Sequence, residues 1–360
     1  MARMWRNTAV VLILLVACAG ARDRWMLPAS AGEASGGSCA PPPTSAATMN
    51  TKMTQITGLG GFDAFRTARL GDGRWLSLTG DATRPGEPLP AYDNAAVIWD
   101  KKGQRRISVT DPNGDFFPRW PDGSEFWPGQ QIVVGSTVYV TGSRQLVRGP
   151  FDWTPLGSYG AVVDVVPCGS VSFNRYFDTP SSGLDDTHVQ WYAGLAADGT
   201  FAYPSGVLDR AELFHARDGG YTARVPVAQL PDRAAWQFWT GLGWSSDPAA
   251  AVDTIPAGAP QCAGGIGGTE SGYTLHERPN GQWQITTKCG GTLARVLGRY
   301  TAANPWGPTW VWEDLISIGG LDHYLAGAAN TVPTTGGNLL VQWSRSGSAG
   351  NTPQWAEVTP

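Results

Sequence analysis

The most constraining feature of this sequence is a pattern that recurs five times. An apolar or small-residue segment is followed, after a tight break, by a second strand-like segment. The five occurrences are "GGFDAFRTARLGDGRWLSLTGD", "WPGQQIVVGSTVYVTGSRQLV", "VQWYAGLAADGTFAYPSGVL", "ESGYTLHERPNGQWQITTK" and "HYLAGAANTVPTTGGNLLVQWS". β-Branched and aromatic residues on both sides of a Gly-containing break are the usual hairpin signal. The breaks include Asp72-Gly73, Asp198-Gly199, Asp218-Gly219, Asn280-Gly281 and Gly135-Ser136. Asp-Gly and Asn-Gly suit the positive φ angles of such turns. Further strands follow the hairpins, among them "AAVIWD", "GAVVDVV", "YTARVPV" and "ARVLGRY". Five repeats of a four-stranded unit predict an all-β, five-bladed β-propeller over residues 53–360. The C-terminal "PQWAEV" is expected to pair with the first blade and close the ring. A pair of packed β-sandwiches is the competing fold, and it accounts less well for the fivefold recurrence.

Composition agrees with a turn-rich β protein. The chain of 360 residues carries 47 Gly, 27 Pro and 17 Trp. No amphipathic period longer than about three helical turns runs through it. Only 16% of residues are charged and the net charge is −4. Without a basic stripe, nucleic acid is not an expected partner.

The N-terminus reads as an export signal. Arg3 and Arg6 precede a short apolar run that ends Leu15-Val16-Ala17-Cys18. Such a run is too short to span a bilayer. Its end matches a bacterial lipoprotein box, so residues 1–17 are expected to be a signal peptide and Cys18 a lipidated N-terminus. Cleavage after Ala19-Gly20-Ala21 is the alternative. Either reading places the protein outside the cytoplasm, as a cell-envelope lipoprotein or a secreted protein. Residues 18–52, rich in Ala, Ser, Gly and Pro, read as a flexible tether.

Cys39, Cys168, Cys262 and Cys289 remain, and an even number in an exported chain implies two disulfides with three possible connectivities. Cys262 and Cys289 bracket one predicted hairpin and are paired on that ground. Cys39 with Cys168 follows by elimination. No C-x-x-C occurs, so a metal role for these cysteines has no support.

Several chemistries lack their motifs. There is no G-x-S-x-G elbow, no phosphate loop and no H-E-x-x-H. The stretch Asp111 to Asp122 begins like a calcium loop, but Phe116 stands where that loop needs glycine. A solvated turn is expected there, and neither a metal nor an organic cofactor is expected anywhere. What remains is carboxylates at strand ends beside aromatic residues. Glycoside hydrolysis needs two carboxyl groups flanking the bond, one as acid and one as base or nucleophile. Asp63 is the candidate base, Glu270 the candidate acid, and Asp81 a residue that orients the site. Trp127, Trp191 and Tyr192 are candidate stacking surfaces for sugar faces. Asn94, Gln130 and Gln190 are candidate hydrogen-bonding partners of hydroxyls. For Gln130 taken alone, satisfaction of neighbouring backbone groups around the central channel is the stronger reading.

The stretches "GGFDAFRTARLGDGRWLSLTGDA", "EFWPGQQIVVGSTVYV", "VQWYAGLAADGTFAY", "YTARVPVAQLPDRAAWQFWTGLGW", "GTESGYTLHERPNGQW" and "RYTAANPWGPTW" resemble a family of exported bacterial five-bladed propellers. That family was long classed as a domain of unknown function and is related to endo-D-arabinanase-type glycoside hydrolases. The resemblance covers Gly58 to Ser346 and implies action on arabinan-type cell-envelope polysaccharide. It also implies acidic roles for Asp63, Asp81 and Glu270. Two departures stand out: Gln130 follows "WPG" where an acidic residue is usual, and Ala329-Asn330 replaces a His-Pro pair. These keep alive a non-catalytic carbohydrate-binding propeller, or an envelope scaffold, as alternatives. The expected partner is a polysaccharide or oligosaccharide bound by a monomer, with the membrane reached only through the lipid.

Overall fold

The computed structural model describes residues 39–53, 56, 59, 61–84, 90–109, 111–149, 152–208, 218–255, 269, 272–288, 294–307, 309–319, 323–328, 334–347 and 350–360. They all belong to one compact unit, Ser38–Pro360. Cys18, Cys262, Glu270, Cys289 and Ala329-Asn330 lie outside the described residues, as do residues 1–17, read as a signal, and residues 18–38.

Five antiparallel sheets follow one another along the chain. The first holds β1 (Gly61–Arg69), β2 (Trp75–Thr83), β3 (Pro90–Asp100) and β4 (Gly103–Arg106). The second holds β5 (Glu125–Val134), β6 (Thr137–Gly149), β7 (Asp152–Val165) and β8 (Val171–Asp178). The third contains β9 (Gln190–Ala197), β10 (Phe201–Leu208), β11 (Asp218–Pro226), β12 (Gln237–Trp239) and β13 (Trp244–Ser245). The fourth contains β14 (Thr274–Glu277), β15 (Trp283–Lys288), β16 (Val296–Ala302) and β17 (Val311–Ser317). In the fifth are β18 (His323–Ala328), β19 (Leu339–Gly347) and β20 (Gly350–Val358).

Each sheet begins with one of the five recurrent segments, and neighbouring first strands meet. β1 packs on β5, β5 on β9, and β9 on β14. β18 packs on β15 and on β1, which completes a propeller arrangement. The interior lies between sheet faces. Leu76, Leu78, Phe117, Phe126, Val138 and Val163 fill the space between the first two sheets. Trp191, Trp236 and Phe238 occupy that between the second and third with Ile132 and Val162. β2 lies between neighbouring sheets, so its residues are buried nearly continuously rather than alternately.

Gly73, Gly135, Gly199 and Gly281 all have positive φ, as their hairpin turns require. Asp218-Gly219 is different: it opens β11, with Asp218 opposite Leu208, and is not a tight turn. The C-terminal "PQWAEV" also departs from expectation. It lies in β20 and pairs with β19, not with the first sheet.

The segment read as a tether is partly built into the fold. Residues Ala46–Met53 form a helix, α1, that packs on β20. Met49 is buried beside Trp75, Trp99 and Trp355. Asn50 exchanges two hydrogen bonds with the Trp355 backbone, at 3.0 and 2.8 Å. Cys39 forms a disulfide with Cys168, with Cα atoms 5.8 Å apart. An apolar Met and a paired Cys among the Ala, Ser and Pro residues supply the anchorage that composition alone conceals.

Candidate active site

Asp63 lies on β1 opposite Gly80 of β2, the residue before Asp81. The pairing is irregular on both sides of Asp63. Such bulges re-aim side chains and recur beside active sites. Thr79 Oγ1 donates to the Asp63 carbonyl and fixes the irregular backbone. Asp81 has φ +36°, a left-handed conformation that a non-glycine residue adopts only where its surroundings impose it. Asp81 keeps part of its surface accessible while its carboxyl is enclosed. Burial, with the charge of Asp93 second, pushes that carboxyl up to about 6.

Behind Asp81 is a group of acids that the sequence reading did not single out. Asp93 on β3, Asp115 in the loop after β4, and Glu125 at the start of β5 are all buried. The Asp93 N–H donates to Asp115 Oδ1 at 2.8 Å. Arg119 grips Asp93 with two nitrogens, Nε and Nη2, the latter 2.5 Å from Oδ1. Its Nε also lies 3.7 Å from Asp115 Oδ2. Burial and the Asp93 charge push Asp115 up to about 7. The same two causes, in the same order, push Glu125 up to about 8. Glu125 Oε1 accepts from Trp127 Nε1 at 2.7 Å. Four acids and one arginine thus share one end of the first sheet and the start of the second, where burial raises the carboxyls of Asp81, Asp115 and Glu125.

Asp115 corrects the expectation of a solvated turn. Phe116 and Phe117 are buried, and their burial drags Asp115 inward until it is 1% exposed. The signal was present in "DPNGDFFPRWPDGSEFW": two adjacent Phe inside an Asp-rich turn anchor it to a core.

The proposed sugar-binding residues divide. Trp127 is half-buried, with its ring 5.6 Å from that of half-buried Trp153. Tyr192 is half-buried against the aromatic cluster of the third and fourth sheets. Its carbonyl also makes Gly129 necessary, since a Cβ there would meet Tyr192 O at 2.5 Å. The other four face inward, which corrects the expectation that they contact ligand. Trp191 is buried against Trp236 and Phe238. Gln190 Nε2 donates to the carbonyls of Asp185 and His188. Asn94 is bonded to the backbone of Phe117 and Phe126. Gln130 Oε1 accepts from the N–H groups of Leu195 (2.9 Å) and Leu275 (2.8 Å), and its Nε2 donates to Leu275 O (2.8 Å). Gln131 Nε2 similarly donates to the carbonyls of Arg66 and Leu76. The two glutamines therefore tie β5 to the first, third and fourth sheets. Their polar side chains satisfy backbone groups near the centre of the ring, as buried polar groups must.

A cavity of about 130 Å³, lined by Trp75, Trp99 and Gln104 among others, lies at the other end of β2 and β3 from Asp81 and Asp93. It takes no part in the carboxylate group.

No family model matches this chain, and no curated protein does. Solved structures do. A "putative hydrolase" from Bacteroides ovatus ATCC 8483 is similar with TM-score 0.63 and 13% sequence identity, over 86% of this chain and 88% of that one. The GH43_1 enzyme from Xanthomonas citri, complexed with xylose, is similar with TM-score 0.51 and 13% identity, over 89% and 90%. The fold is a β-propeller. At 13% identity the likeness is one of fold. Within the propeller, residue roles come from the geometry of this chain.

Proposed function

We propose that this propeller is a glycoside hydrolase acting on furanose-containing, arabinan-type cell-envelope polysaccharide. In this reading Cys18 is diacylated and holds it outside the cytoplasm as a monomer. The observation that carries the reaction is the placement of Asp63 opposite Gly80, beside an Asp81 whose carboxyl holds its proton up to about pH 6. A proton-holding acid and a second carboxylate are the pair that glycoside hydrolysis requires. The xylose bound to the GH43_1 neighbour is in keeping with a sugar substrate.

In the proposed mechanism the Asp81 O–H gives its proton to the glycosidic oxygen as the bond from that oxygen to the anomeric carbon breaks. Asp63 takes a proton from the attacking water, whose oxygen forms the new bond to that carbon. If Asp63 itself bonds to the carbon, a water then displaces it and returns a proton to Asp81. This assigns Asp81 proton donation, where the sequence reading gave it orientation and gave donation to Glu270. Half-buried Trp127 supplies an apolar face for a sugar ring. The test is incubation with purified arabinan and galactan, with released oligosaccharides read by mass spectrometry. Products from arabinan that disappear in Asp63→Asn and Asp81→Asn support the reading, and their absence from the wild type contradicts it.

Gln130 favours a second reading, a non-catalytic carbohydrate-binding propeller. Its side chain is spent on three backbone groups, at the position after "WPG" where the resembling family usually carries an acid. Saccharide binding without any product distinguishes it.

A further inference from the structure

Trp75, Trp99 and Gln104 stand in one row across the first sheet. Trp75 of β2 is paired with Trp99 of β3, and Trp99 with Gln104 of β4. Directly opposed residues present their side chains on the same face. Over that face runs the segment before α1. Cys39 at its start is bonded to Cys168, and the Lys101 N–H donates to the Cys39 carbonyl at 3.1 Å. Further along, the Thr335 N–H donates to the Thr44 carbonyl at 2.9 Å. Between these ties come Pro41, Pro42 and Pro43, which fix φ and bring no N–H that needs an acceptor. The segment is a stiff roof. Pro41, Pro42 and Thr44 line one side of the 130 Å³ cavity, and the row of Trp75, Trp99 and Gln104 lines the other.

Three of these side chains hold a buried polar atom with no hydrogen-bond partner among the described residues: Trp75 Nε1, Thr44 Oγ1 and Gln104 Oε1. Trp75 is 1% exposed and Thr44 6%. Buried polar groups are ordinarily paired, and each exception calls for an explanation. Here the exceptions converge on one cavity: a donor, an acceptor, and a hydroxyl that is both. None is charged. Asp100, also in the wall, has its oxygens taken by the Arg105 guanidinium (3.0 and 2.9 Å) and the Lys102 N–H (2.7 Å). Pro42 and Lys101, which line the cavity too, are exposed, so it is reached from solvent. Its volume is close to the roughly 150 Å³ that holds one benzene ring in an apolar cavity.

We propose that this cavity is a binding site for one small neutral polyol or sugar unit, separate from Asp63 and Asp81. One hydroxyl of the ligand accepts from the Trp75 N–H, another donates to Gln104 Oε1, and the Thr44 hydroxyl takes either role. The indoles of Trp75 and Trp99, tilted with centroids 5.4 Å apart, cover its C–H surface. Water satisfies the same polar atoms but buries none of the indole surface. A polyol that reproduces the hydrogen bonds of the waters it displaces therefore gains.

The test titrates the full chain with glycerol, L-arabinose and L-arabinonate while following the Trp75 indole ¹⁵N–H resonance, assigned with Trp75→Phe. Glycerol or L-arabinose should move it along a saturating curve at millimolar concentration, as suits so few atoms. L-arabinonate should bind more weakly, since the three unpaired atoms are neutral and Asp100 adds negative charge. Gln104→Leu and Thr44→Val each remove one partner and should each weaken binding about fivefold or more. Either variant suffices if the other fails to fold. Asp63→Asn should titrate as the wild type does, whatever the outcome with arabinan, so this site and the proposed reaction fail separately. A resonance that stays still, or drifts without saturating, would show that the cavity holds water alone and would overturn the proposal. Wild-type affinity in the variants, or tighter binding of L-arabinonate than of the sugar, would overturn it as well.

Discussion

Asn94 and Phe117 exchange hydrogen bonds: the Phe117 N–H donates to Asn94 Oδ1 at 2.7 Å, and Asn94 Nδ2 donates to the Phe117 carbonyl at 3.1 Å. A further bond from Nδ2 reaches the Phe126 carbonyl. One fully buried amide beside Asp93 thus fixes both ends of the segment from Phe117 to Phe126, which carries Arg119 and Glu125. Asn94→Leu keeps the volume and removes these bonds. It should destabilise the fold by about 2–4 kcal/mol, since buried backbone groups are left unpaired. Urea unfolding measures this, and a stability equal to wild type would show that the clamp is dispensable.

Gln130 makes a comparable claim on the centre of the ring. Gln130→Leu leaves the Leu195 and Leu275 N–H groups without their acceptor and should cost about 2–4 kcal/mol. Oligosaccharide affinity, measured at a temperature where the variant is folded, should stay near wild type. A selective loss of sugar binding with unchanged unfolding would return Gln130 to the ligand site.

The disulfide ties the N-terminal segment to the second sheet. Asp72 sits under it, accepting from the Cys168 N–H at 2.8 Å and pairing with buried Arg74. Arg74 continues to the carbonyls of Val166 and Gly169. Cys39→Ser with Cys168→Ser removes a crosslink across 129 positions of sequence separation. It should lower stability by roughly 2–4 kcal/mol. Non-reducing peptide mapping that finds free thiols at both positions would contradict the bond.

Much of the fold was legible because hairpin chemistry is local. Asn280-Gly281 and Asp198-Gly199 announce their turns within a few residues, and each of "AAVIWD", "GAVVDVV", "YTARVPV" and "ARVLGRY" falls in the third strand of its sheet. Asp63 and Asp81 were legible as strand-end acids. Their spacing in sequence did not reveal that one faces the residue before the other, because a bulge sets that register. Asp93, Asp115 and Glu125 gather through contacts between two sheets, which no local pattern encodes. For Asn94, Gln130 and Gln190, polarity looked the same whether it served a ligand or the backbone. Only burial with a full set of partners separates the two uses.

Stability should depend on pH through the acids. Asp81, Asp115 and Glu125 all have midpoints raised by folding, to about 6, 7 and 8. The folded state binds these protons more tightly than the unfolded chain, whose carboxylates titrate near 4. Their contribution is therefore fully present below about pH 4 and is lost as pH rises toward 8. Half-buried His276, depressed to about 4 by desolvation, works in the opposite sense: its contribution is lost as pH falls from about 6.5 to 4. Glu125→Gln should flatten the alkaline loss, with a higher Tm than wild type at pH 8.5 and little difference at pH 5. Parallel Tm curves for the two proteins would mean that Glu125 does not carry a raised midpoint.

The account rests on Asp63 and Asp81 acting as a catalytic pair, and the most direct measurement is the pH profile of arabinan cleavage by wild type, Asp63→Asn and Asp81→Asn. The wild type should release oligosaccharides with an alkaline limb near pH 6, where Asp81 gives up its proton. Each variant should lose turnover by at least about a hundredfold while keeping its fold. Near-wild-type release by either variant, or a wild type that binds arabinan and releases nothing between pH 4 and 8, would contradict the central claim.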